Sequence, residues 1–136
     1  MVERIPILKI GNILLVTIQV DFQDKVALAL QEDLTEKIVT HSTKGVLIDI
    51  SALEMVDSFM GRVLGNIAKT SRLLDCQTVL VGMQPAIAIT ITELGVSLKG
   101  IHTALTAEDG LEKLKLMTNS SASNNQVRYA HKVTRK

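Results

Sequence analysis

Residues 54–65 read EMVDSFMGRVLG, with an acid, Asp57, and a hydroxyl, Ser58, directly before Phe59 and Met60. A carboxylate beside a serine is open to three chemistries. The first is a nucleophile, as in a serine hydrolase, and it needs a base within hydrogen-bond reach. No Gly-x-Ser-x-Gly elbow surrounds Ser58, and the three histidines, His41, His102 and His131, stand in no motif. The second is a helix start, in which Asp57 is the N-cap and accepts from backbone N–H groups ahead of it. The third is a phosphate acceptor. A helix N-terminus offers donors and a favourable dipole to a dianion, Arg62 at i+4 adds a cation, and Asp57 opposes. Capping is sufficient to explain the local residues, which permit the modification without requiring it.

Other reactive residues give less. One cysteine, Cys76, excludes an internal disulfide and fits a reducing compartment. With three scattered histidines it makes no metal spacing, and no Gly-rich phosphate loop implies a nucleotide cofactor. Cys76 reads as a small buried hydrophobe. Asp49, near the end of an apolar run, stands where ligand sites of open α/β sheets gather, although a loop-capping role is commoner. Thr40, Ser42 and Thr43 read as a solvated loop. Gly61 and Gly65 form a small-xxx-small pair that costs about 1 kcal/mol per glycine relative to alanine. Such a pair serves either close packing or a flat landing place for a partner.

These residues need a scaffold, and the chain is long enough for one domain. It has 136 residues, 46% of them apolar, with no Trp, one Tyr and two Phe, so the core must be aliphatic. The formal net charge of +1 does not point to nucleic acid. All fourteen acids precede residue 118, whereas Arg128, Lys132, Arg135 and Lys136 follow it, leaving the body at −3 and the tail at +4. Charges at Glu3, Arg4 and Lys9 interrupt any signal-peptide core. The longest uncharged stretch, 76–92, is too short and too broken to span a bilayer. A cytoplasmic domain is expected.

Gly11-Asn12 between two β-forming runs predicts a hairpin. Residues 24–40 place Ala27, Leu30, Leu34 and Ile38 at helical spacing. GVLIDIS, from Gly45, and residues 78–82 read as buried strands that flank a helix over 57–75. In QPAIAITITELG, Ile87, Ile89 and Ile91 alternate like a strand, yet Pro85 and Gly95 bracket a helix; a helix is expected. Residues 101–103 predict an edge strand, and Thr106 opens a last helix carrying Leu111, Leu114 and Met117. Alternating strands and helices imply parallel pairing with crossovers. From Asn119 the apolar period is lost, and 118–136 reads as a basic, Ser/Asn-rich disordered tail.

On the 57–75 helix, about 100° per residue puts Phe59, Met60, Val63, Leu64, Ile67, Ser71 and Leu74 toward the sheet. Ser58, Arg62, Gly65 and Lys69 share the outer side. Ser51-x-x-Glu54 offers a rival capping box, but it would bury Asp57 and Ser58 in a helix interior, so Asp57 is preferred as the cap.

This element order, with Asp57-Ser58 opening the second helix after a strand ending Asp-Ile-Ser, resembles the STAS domain family over about residues 5–117. IPILKI, LLVTIQVDFQD, ALALQEDL, GVLIDIS, VDSFMGRVLG, VGMQPAIAITITELG and TALTAEDGLEKLK resemble, within that family, the single-domain scaffold type of the bacterial stressosome (the RsbS type). Phe59-Met60 stands where simple sporulation-type antagonists usually continue Ser-Gly. RsbR-type paralogues typically carry a threonine at the position of Ser58 and a separate sensor domain.

The resemblance implies an α/β fold, a mixed, mostly parallel sheet of about five strands with four helices, over residues 1–117. It implies a non-enzymatic scaffold without cofactor or metal, phosphorylated at Ser58, that sequesters a serine/threonine switch kinase of the RsbT type and releases it on phosphorylation. RsbR-type STAS paralogues, a PP2C-type phosphatase of the RsbX type and further copies of the chain are the implied partners, with no membrane or nucleic acid. Asp57, Ser58, Phe59, Met60, Gly61, Arg62, Gly65 and Lys69 are the expected partner-contact residues. A simple anti-sigma factor antagonist, a detached transporter STAS domain and a hydrolase using Ser58 are the rival readings.

Overall fold

The structure, a computed structural model, describes residues 4–19 and 23–118. The expectation for the basic tail falls outside these residues. The order is β1 (Ile7–Ile10), β2 (Ile13–Thr17), α1 (Asp24–His41), β3 (Gly45–Asp49), α2 (Ser58–Leu73), β4 (Gln77–Val81), α3 (Pro85–Glu93) and β5 (His102–Ala104). A last helix, α4, covers residues 107–118. The five strands form one sheet in the order β1-β2-β3-β4-β5. β1 and β2 are antiparallel, with Ile10 opposite Ile13, and every other pairing is parallel.

Local chemistry explains most boundaries. Gly11, at φ +58°, opens the two-residue turn of the hairpin, a conformation that glycine adopts without a Cβ penalty. α1 buries Ala27, Ala29, Leu30, Leu34 and Ile38 and ends at Ser42 in the left-handed region. α3 resolves the ambiguous isoleucines: Ile87 and Ile91, four apart, are buried, whereas Ile89 is 60% exposed. Only a helical period does that. Thr106 caps α4 through a 3.1 Å bond from the Asp109 N–H to its hydroxyl.

Strand alternation sorts the sheet into two faces. Leu14, Val16, Val46, Ile48 and Leu80 point toward α1, α2 and α3, where Leu30, Leu34, Leu64, Ile67 and Ile87 meet them. Ile13, Leu47, Val79 and Val81 point the other way and meet Leu114 of α4. β3 and β4 are therefore covered on both faces, which is why their sequences are continuously apolar.

The solvated-loop expectation for residues 40–43 needs one correction. Thr40 and Ser42 are exposed, but Thr43 is buried. The N–H groups of Lys44 and Gly45 both donate to the Asn12 carbonyl, at 2.8 and 3.3 Å. That draws the chain against the hairpin turn and turns Thr43 inward.

α4 packs closely on the sheet at Gly110. A Cβ there would lie 2.5 Å from Val81 Cγ1 and 2.9 Å from Leu47 Cδ1. Gly110→Val is expected to lower stability by about 1–3 kcal/mol through overpacking, read as a lower urea midpoint. An unchanged midpoint would show that α4 can shift away at no cost.

Candidate functional site

Asp57 and Ser58 are carried by the loop between β3 and α2, and several contacts fix that loop. The Ile50 N–H donates to the Val81 carbonyl at 3.0 Å. The Asp49 carboxylate accepts from the Ser51 N–H at 2.9 Å, and the Gln84 amide donates to the Ser51 carbonyl at 2.8 Å. Asp49 thus holds the loop, as the commoner reading of its position expects. Leu53 and Val56 are buried anchors beneath it, while Met55 between them faces solvent at 81% exposure.

α2 then starts as the sequence predicts. Asp57 is extended (φ −98°, ψ 176°), and its carboxylate accepts from the Met60 N–H at 2.8 Å. Ser58 is the first helical residue and is exposed. Among the described residues, the Ser58 and Phe59 N–H groups have no acceptor, as the first turn of a helix leaves them.

Ser58, Arg62, Gly65, Asn66 and Lys69 form one wall of an open groove of about 340 Å³. Leu94, Gly95, Val96 and Ser97, which follow α3, form the other. Among the described residues, no acidic side chain lines it. Neither Arg62 nor Lys69 belongs to the ion pairs among the described residues, which are Arg4–Asp33 and Lys44–Asp75. Asp57 stands beside the groove, engaged as the cap. The groove therefore presents a reachable hydroxyl and two cations.

The eight expected contact residues separate on this geometry. Asp57, Ser58, Arg62 and Lys69 are exposed. Phe59 and Met60 are half-buried and pack against the core. Gly61 and Gly65 are buried, so the pair serves close packing, and Gly65 also lines the groove. A Cβ on Gly61 would lie 3.1 Å from Val96 Cγ2, and one on Gly65 would lie 3.1 Å from the Ser97 carbonyl oxygen. The pair admits the chain after α3 to close range, and the groove is the result. The 94–97 segment and Asn66 were missed from sequence. The glycine pair was the available signal, because it announces that something packs closely without naming it.

Among the described residues, no histidine lines the groove. His41 ends α1 at the sheet edge where β3 begins, whereas α2 starts beyond the other end of β3. His102 pairs with Val79 in the middle of β4, and His131 lies outside the described residues. Cys76 is buried, and burial pushes its thiol from 9.0 up to about 11, with Thr43 and Lys44 pulling it partly back and Asp75 adding to the rise. Among the described residues, the carboxylate next to Ser58, Asp57, is engaged as the helix cap.

With this geometry established, the class is defined: the chain belongs to the STAS domain family, whose model matches residues 4–110. Its structure is similar to RsbS of Moorella thermoacetica in its S58E form, at 42% identity and a TM-score of 0.78, over 86% of this chain and 99% of that one. It is also similar, at 44% identity and a TM-score of 0.74, to a chain of the stressosome, described as a signal integration and transduction hub, over 83% of this chain and 98% of that one. In sequence it resembles the RsbT co-antagonist protein RsbRA of Bacillus subtilis (strain 168), 32% identical over 89 residues, which is 65% of this chain. It spans about a third of that relative, 32% of its length. No helix among the described residues is long and apolar enough to cross a membrane.

Two outcomes test the site's framework. Asp57→Ala, by removing the cap, is expected to cost about 0.5–2 kcal/mol in urea unfolding, and Asp57→Asn to cost less. The raised Cys76 pKa means that the unfolded thiol ionises at lower pH than the folded one. Its contribution is fully present below pH 9 and is lost as pH rises toward 11. Stability should therefore fall across that interval more steeply in the wild type than in Cys76→Ala.

Proposed function

We propose that the chain is a non-enzymatic, phosphoregulated scaffold of a cytoplasmic stress-signalling assembly of the stressosome kind. It holds a serine/threonine switch kinase of the RsbT type until Ser58 is phosphorylated. The observation that carries this reading is Ser58 itself: exposed, first in α2, and set in a groove with two cations and, among the described residues, no histidine, its neighbouring carboxylate Asp57 being taken up as the helix cap. A hydroxyl without a base is a poor nucleophile on its own but a good substrate for an enzyme that brings one. The similarity to RsbS and to a stressosome chain supports the same reading.

In the transfer, the Ser58 hydroxyl oxygen bonds to the γ-phosphorus of ATP as the bond to the departing ADP oxygen breaks. The hydroxyl proton passes to the kinase's base. The product carries about −1.5 to −2 charges at neutral pH, close to the Ser58 and Phe59 N–H groups and to Arg62 one turn on. α2 tolerates it, because a helix N-terminus favours an anion. What changes is the outer face: a surface complementary to the kinase gains charge and bulk, and the kinase leaves. A phosphatase of the RsbX type restores the hydroxyl.

The assembly role draws on a different surface. Leu8 (62% exposed) and Ile10 (54% exposed) lie on the edge strand β1 and share a sheet face with Leu15 and Ile13. α4 covers β3 and β4 on this face but leaves β1 open. An uncovered apolar edge suits association with RsbR-type paralogues or further copies of the chain.

Ser58→Ala is expected to retain the kinase in pull-down and to resist phosphorylation by it with ATP. Ser58→Asp is expected to bind at least tenfold more weakly, about 1.4 kcal/mol. If both variants bind and are labelled like the wild type, the reading fails. Co-purification in a large particle with other STAS proteins supports the scaffold; a small binary complex with an anti-sigma kinase supports the simple antagonist instead.

A further inference from the structure

The groove is longer than a phosphate on Ser58 can use. Arg62 is one turn from Ser58, within the range of an i,i+4 pair. Lys69 is eleven residues on, roughly 16 Å along the axis at 1.5 Å per residue, further than a phosphoserine and an extended lysine together can bridge. Lys69 nevertheless lines the same groove. Arg72, on the same strip of α2, continues the positive charge, its guanidinium lying against the backbone of Gly100. No acid occurs anywhere in α2. Opposite, Leu94 and Val96 supply an apolar wall, and Leu94 is substantially exposed.

We propose that this groove is the docking site for an extended acidic segment of the partner protein. The segment lies along α2 with carboxylates at Lys69 and Arg62 and an apolar side chain against Leu94 and Val96. The length decides between occupants: a single phosphate needs Arg62 alone, whereas an elongated, cation-lined trough with one apolar wall fits a peptide bearing separated negative charges. The inference deepens the proposed function by naming the chemistry of the partner's contact. Its regulation rests on that reading; its docking does not. Phosphate on Ser58 takes Arg62 for itself and repels the near end of the segment, so modification weakens the contact at one end while Lys69 retains its hold at the other.

The probe is a labelled ten-residue peptide of alternating glutamate and leucine, with a Glu→Gln version as control, titrated into the full ¹⁵N-labelled chain at low salt. Amide shifts are expected to concentrate at Ser58, Arg62, Asn66, Lys69 and residues 95–97. They should weaken at least fivefold in Lys69→Glu, survive in Lys69→Arg, and be absent with the control. Shifts spread over other lysines, or unchanged in Lys69→Glu, overturn the groove. These outcomes do not involve the kinase. In a second arm, kinase affinity for Lys69→Gln should fall severalfold with a shallower salt dependence, while Lys69→Arg binds like wild type. If the wild type does not bind the kinase at all, the proposed function fails while the peptide result stands. If the kinase binds Lys69→Gln as tightly as wild type, the acidic-segment contact is wrong even though the scaffold role survives.

Discussion

Everything at this site depends on how closely the chain after α3 approaches the backbone of α2. At Gly61 and Gly65 the missing side chains admit Val96 and the Ser97 carbonyl, each at a distance that a Cβ would make tight. Two glycines in a helix interior are a cost of about 1 kcal/mol apiece, and the return is a second wall. Without it Ser58, Arg62 and Lys69 would be three solvated side chains on a helix face. With it they share one groove.

The sheet supplies the other half of that rigidity. β3 ends at Asp49, whose carboxylate holds the following turn, and Gln84 from the start of α3 holds the Ser51 carbonyl. The two connections that leave neighbouring parallel strands on the same edge are thereby tied together. Leu53 and Val56 pin the loop from below. Ser58 is thus delivered at a fixed place, and a partner of the proposed kind would not have to order a segment first, which lowers the entropic cost of docking.

Those parts of the molecule governed by short-range rules were legible in the sequence. Gly11-Asn12, the α1 stripe, the Asp57 cap, Pro85 and the Thr106 cap are each decided within a few residues, and the structure follows them. The exposure of Ser58 and Arg62 also followed from helical phase alone. Phase failed at Gly65, which belongs to the outer side by angle and is buried by a segment some thirty residues away. Thr43 turned inward for the same kind of reason, because the Asn12 carbonyl captures the two N–H groups after it. The groove is a long-range object, and its far wall carries no local motif beyond Gly95, which reads only as the end of a helix.

The placement of charge on α2 bears on how a modification can act here. The Asp57 carboxylate already takes the Met60 N–H, so a phosphate on Ser58 is not needed to complete the helix and does not compete with its cap. Its field falls mostly outward. At physiological ionic strength the screening length is about 8 Å, roughly half the distance from Ser58 to Lys69. A dianion at the first turn therefore dominates Arg62 and is largely screened at Lys69. On the proposed reading, whatever binds along this helix would meet the change as local repulsion at one end of its contact. Under that proposal, affinity would be lowered in a graded way, by charge alone, with no change of shape required of the chain.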